Sequence, residues 1–66
     1  MAAPQTGPRE VLFEFTVIGP YVKVAAIDAA TGVEVSVTAP AHASRADLQK
    51  LALRKLDGRL SARTSS

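Results

Sequence analysis

The chain predicts an α+β fold, a three-stranded antiparallel meander with one C-terminal α-helix packed on one face. Three observations predict it. Apolar residues alternate with a period of two in three short runs before Pro40. Two tight reversals separate those runs and bring their apolar faces to the same side. After Ser44 the spacing changes to that of a helix, with Leu48, Leu51, Ala52 and Leu56 on one stripe.

The first run spans Glu10 to Ile18, with Val11, Phe13, Phe15 and Val17 on one side and Glu10, Glu14 and Thr16 on the other. Gly19-Pro20 ends it, because glycine takes the positive φ of a type II′ turn and proline's fixed φ suits the next position. The second run is Tyr21 to Asp28, with Val22, Val24 and Ala26 on one face. A two-residue loop sets Ile18 opposite Tyr21, and so Val17 opposite Val22, Phe15 opposite Val24 and Phe13 opposite Ala26. A slip of one residue would send each of these pairs to opposite faces.

Asp28-Ala29-Ala30-Thr31-Gly32 forms the second reversal, where an aspartate carboxylate accepts nearby backbone amides and glycine supplies a left-handed position. Val33 to Ala39 alternates again, which places Val35 opposite Ala26 and Val37 opposite Val24. Pro40 ends that strand, since proline has no N–H for a ladder. Ser44 is the expected N-cap, with Asp47 favouring the positive helix end. Gly58 stands where a left-handed helix stop belongs, so the helix is expected to close near Asp57, with Leu60 adding a contact beyond it. The expected core gathers the apolar faces of the three strands against Leu48, Leu51, Ala52 and Leu56.

Sixty-six residues allow a single core. The expected organisation is a disordered lead over residues 1–8, one domain over 9–60 and a disordered tail over 61–66. Hydrophobic residues make up 47% and charged residues 21%, which is globular rather than disordered usage. The chain has no Cys, so disulfides, thiolate chemistry and Cys-based zinc sites are excluded. The apolar runs are far too short for a span of roughly 20 residues, and the first eight residues lack the pattern of a signal peptide. A cytoplasmic location is expected.

Three stretches carry a family resemblance. They are Val11-Leu12-Phe13-Glu14-Phe15, Ala26-Ile27-Asp28-Ala29-Ala30-Thr31-Gly32-Val33-Glu34-Val35 and Leu51-Ala52-Leu53-Arg54-Lys55-Leu56. The chain resembles a family of short uncharacterised bacterial proteins grouped as a domain of unknown function. That resemblance implies a compact α+β fold and an unassigned role, and offers no catalytic residue to carry over.

The residues themselves offer little for catalysis. His42 is the one histidine and lies in the loop before the helix, near Ser44 and Asp47, with no positioned base–nucleophile set around it. No metal-ligand spacing and no phosphate-binding glycine pattern occurs, so no cofactor is expected. Asp28 with Thr31 and Gly32 lacks the alternating oxygens of a calcium loop and reads as a turn former.

Two surfaces remain. With one helix available, the second sheet face stays uncovered and carries Leu12 opposite Ile27 and Ile18 opposite Tyr21, framed by Glu14, Lys23 and Glu34. The C-terminal part is basic, with Arg45, Lys50, Arg54, Lys55, Arg59 and Arg63 against Asp47 and Asp57. The expected function is a non-enzymatic interaction module binding a protein partner or itself through the uncovered face. The alternative is a weak nucleic-acid binder using the basic helix and tail, although the aromatics that usually stack on bases are missing from that element.

Overall fold

Alternation sets the strands, and two glycines set the reversals. The computed structural model describes residues 9–64, so the expected disorder of residues 1–8 lies outside the described residues, as do Ser65 and Ser66. The elements are β1 (Val11–Ile18), β2 (Tyr21–Asp28), β3 (Glu34–Pro40) and α1 (Arg45–Thr64). The sheet is antiparallel in the order β1-β2-β3. Its register is the expected one: Phe15 faces Val24, Phe13 faces Ala26, and Ala26 and Val24 face Val35 and Val37.

Gly19 has φ +56° and Gly32 φ +75°, and no other described residue has positive φ. Positive φ at Gly19 followed by a proline fits the II′ hairpin and excludes I′, which needs positive φ twice. Asp28 organises the second reversal. Its carboxylate Oδ2 accepts the Thr31 amide at 3.1 Å and the Thr31 hydroxyl at 2.7 Å, while its carbonyl accepts the Gly32 amide at 2.8 Å. Pro40 belongs to β3 rather than ending before it. It pairs with Tyr21, and the next bond of the ladder runs from the Ala41 amide to the Pro20 carbonyl at 2.9 Å. Its missing N–H therefore falls on the free edge, where a proline removes nothing.

The Ser44 hydroxyl accepts the Asp47 amide at 3.3 Å and caps the helix as expected. Leu48, Ala52 and Leu56 recur every four residues and are buried against Val22, Val24, Ala26 and Val35. The helix lies over β2 and β3. That offset corrects two core expectations. Val17, on the outer strand near the hairpin tip, is 63% exposed, and Leu51 is 49% exposed. One flank of the helix reaches β1, where Arg45 sits 4.9 Å from the Phe15 ring centroid. The opposite flank reaches the edge of β3, where Lys55 donates to the Ser36 carbonyl at 2.8 Å. At 100° per residue, Leu51 lies on the Lys55 flank and overhangs the sheet edge. Phe13, Phe15 and Val11 pack against the core without being fully covered.

The expected helix end is also corrected. The helix continues through Gly58 to Thr64, so the boundary at residue 60 and a disordered tail from residue 61 do not hold for residues 61–64. Gly58 does not take positive φ. A mid-helix glycine costs about 1 kcal/mol relative to alanine, and good helix formers such as Arg59 and Leu60 follow it. Leu60 packs against the core and anchors the added turn.

Candidate functional site

The uncovered sheet face is built by the residues that β1, β2 and β3 turn away from the helix. Pairing brings Leu12 opposite Ile27 and Ile18 opposite Tyr21. Leu12 is 50% exposed, Ile18 54% and Tyr21 52%, whereas Ile27 is half-buried. The two pairs do not meet within one chain. Between them lie the rows Glu14–Ala25–Ser36 and Thr16–Lys23–Thr38. Leu12 and Ile18 are six residues apart along one strand, roughly 20 Å at the usual rise. Ala25 is buried although no element covers it, because a short side chain on the central strand sits between longer neighbours.

The six basic residues are spread around the helix rather than gathered in one strip. Arg45 is engaged with the Phe15 ring and Lys55 with the Ser36 carbonyl. Lys50 and Arg54, one turn apart, share the outward side, and Arg59 is exposed. The Arg63 side chain lies outside the described side chains. Among the described residues no group of three or more His, Asp or Glu stands together to hold a metal, and no cavity is present. His42 is exposed in the turn before the helix.

One constellation escaped the reading of the sequence. Arg9 Nε donates to Asp28 Oδ1 at 3.0 Å, and Arg9 Nη1 bonds Asp57 of the helix. The Thr31 hydroxyl, then Arg9, hold the Asp28 carboxyl below the ordinary carboxylate range, against the opposing effect of its burial. Asp57 and Asp28 in turn raise the Arg9 guanidinium. The signal was present in the register. Val11 faces Asp28, so a same-face residue two positions earlier stands within reach of that carboxylate. The cluster joins the start of β1, the second reversal and the helix, and its groups are already committed to one another.

The chain belongs to the family described as "Domain of unknown function (DUF6898)", whose model matches residues 8–64. No curated protein and no solved structure matches it. No helix among the described residues is long and apolar enough to cross a membrane.

Proposed function

We propose that the chain is a small non-enzymatic interaction module that binds a protein through the uncovered face of its sheet, with the cytoplasm as its compartment. The observation that carries this reading is the pairing of large apolar side chains on a face that no element of the fold covers. Leu12, Ile18 and Tyr21 are each about half exposed and paired across β1 and β2. Single exposed apolar residues are ordinary, whereas paired ones framed by Glu14, Lys23 and Glu34 have the layout of an apolar contact with a charged rim.

A photo-crosslinking residue placed at Leu12 or Tyr21 of the full chain, in native cell extract, tests it. Lys50 on the outer helix serves as the comparison position. Protein adducts at the sheet positions and none at Lys50 are the expected result. Adduct-free sheet positions overturn the reading.

A second reading, nucleic-acid binding, draws on Lys50 and Arg54, which share the outward side of the helix. Labelled DNA and RNA at low salt decide it. No binding there ends it, and true phosphate contacts would weaken steeply as salt is added.

A further inference from the structure

We infer that the partner is a second copy of this chain, paired antiparallel along the free edge of β1. This inference rests on the interaction reading above, but places the contact at the β1 edge that borders the uncovered face rather than on the face itself. The ladder shows which backbone groups are available. The Ala29 amide bonds the Glu10 carbonyl at 3.1 Å, so the even-numbered residues of β1 exchange bonds with β2. The N–H and C=O groups of Val11, Phe13, Phe15 and Val17 therefore point to the free edge.

The two edges of the sheet are treated differently. β3 ends in Pro40, and Lys55 occupies its outward Ser36 carbonyl. β1 is eight residues long, paired without a bulge, and contains neither proline nor lysine. Among the described residues its one device against edge pairing is the charge of Glu14; it has no proline, lysine, bulge or covering element. The helix lies over β2 and β3 and reaches β1 through Arg45 at the Phe15 ring, so Phe13 and Phe15 are only partly covered and Val17 is 63% exposed.

Side-chain chemistry selects the register. Four antiparallel alignments keep the outward groups in bonding phase near the middle of the strand. With Thr16 on the axis, Glu14 faces Ile18 and Phe13 meets Gly19. With Phe13 opposite Phe15 of the copy, Glu14 faces Glu14 across the axis, a like-charge pair. With Phe13 opposite itself, Glu14 faces Leu12 and Ile18 passes beyond the copy's strand. With Phe15 on the two-fold axis, Phe13 meets Val17, Leu12 meets Ile18 and Glu14 meets Thr16. Only this last alignment matches apolar with apolar on both faces. It also joins what one chain leaves apart, because Ile27, Leu12, and the copy's Ile18 and Tyr21 fall into one row. On the other face, the half-covered phenylalanines of both copies lie between the two helices.

Sedimentation equilibrium of the full chain from micromolar to millimolar concentration is the test. Wild type is expected to dimerise. Val17→Pro blocks a bond at the free edge without removing one inside the chain, and should weaken the dimer roughly tenfold or more. Val17→Lys, at the same exposed position, should do likewise if Val17→Pro fails to fold. The chain has no Cys, so Leu12→Cys with Ile18→Cys reports the register through dimer-specific disulfides. Leu12→Cys with Thr16→Cys reports the Glu14-on-axis alternative and should crosslink more slowly. A chain that is strictly monomeric at millimolar concentration overturns the inference. So does a dimer that survives both Val17 variants, or one that crosslinks faster through residues 12 and 16. In the monomeric case, adducts of Leu12 and Tyr21 with a different protein leave the interaction reading standing.

Discussion

Arg9 reaches Asp28 from just outside the β1–β2 ladder, its Nε donating to Oδ1 at 3.0 Å while the other carboxylate oxygen takes two bonds from Thr31. The carboxylate is buried and every one of these contacts favours its ionised form. One side chain therefore fixes the second reversal and, through Arg9 and Asp57, ties both to the helix.

The pH dependence of stability follows from that arrangement. The Asp28 carboxyl sits lower in the folded chain than in the unfolded one, so the unfolded chain binds its proton first as pH falls. The stabilisation is fully present above the unfolded value and is lost as pH drops through the folded one. Thermal midpoints measured across the acid range should be level near neutrality and fall below the ordinary carboxylate range. Asp28→Asn should be less stable than wild type at neutral pH and should flatten that acid decline. A wild-type profile that rises on acidification would contradict this account.

The two aspartates that Arg9 touches should respond differently to removal of their partner. Arg9→Ala leaves Asp28, whose side chain is 5% exposed, with Thr31 alone, and an under-compensated buried charge is destabilising. Asp57→Ala removes a group that is 52% exposed, where water replaces the lost contact. Urea unfolding at neutral pH should show a clear loss for Arg9→Ala and little change for Asp57→Ala. Equal losses would mean that the exposed bond matters as much as the buried one.

Leucines on the helix provide a test of its rotation. Leu56 is fully buried, and Leu56→Ala should cost about 2–5 kcal/mol, enough to unfold much of a domain this small. Leu51 is 49% exposed, so Leu51→Ala should stay within about 0.5 kcal/mol. Chemical denaturation of both variants measures this directly. A large loss at Leu51 would place that residue, rather than Leu56, on the sheet side.

The strand registers were legible because period-two alternation and a two-residue reversal leave one alignment that buries Phe13 and Phe15 with Val24 and Ala26. The Ser44 cap and the Asp28 turn were legible for the same local reason, a short polar side chain beside orphan amides. The rotation of the helix was not. Leu48, Leu51, Ala52 and Leu56 make a plausible stripe in isolation, and only the placement over β2 and β3 exposes Leu51. Val17 fails for the same cause, since alternation assigns a face but not whether anything covers it. Of the candidate surface, each apolar pair could be read from the chain, and so could the polar rows that separate them. The dispersal of the basic residues depended on the contacts of Arg45 and Lys55, which no spacing announces.

Gly58 and Gly32 separate the two roles of glycine most sharply. At Gly58 the helix continues without positive φ, and a Cβ there would meet nothing within 4 Å. Gly58→Ala should therefore stabilise the fold by about 0.5–1 kcal/mol, since alanine restricts the unfolded chain and favours the helix. At Gly32 the space is equally open but φ is +75°, a conformation that an L side chain resists by about 1–2 kcal/mol. Gly32→Ala should be destabilising although it touches nothing. Because free volume is the same at both sites, opposite signs in the two thermal midpoints can come only from backbone conformation. Destabilisation at Gly58 would instead mean that the helix stops there, that residues 59–64 are not part of it, and that Leu60 does not anchor a further turn on the core.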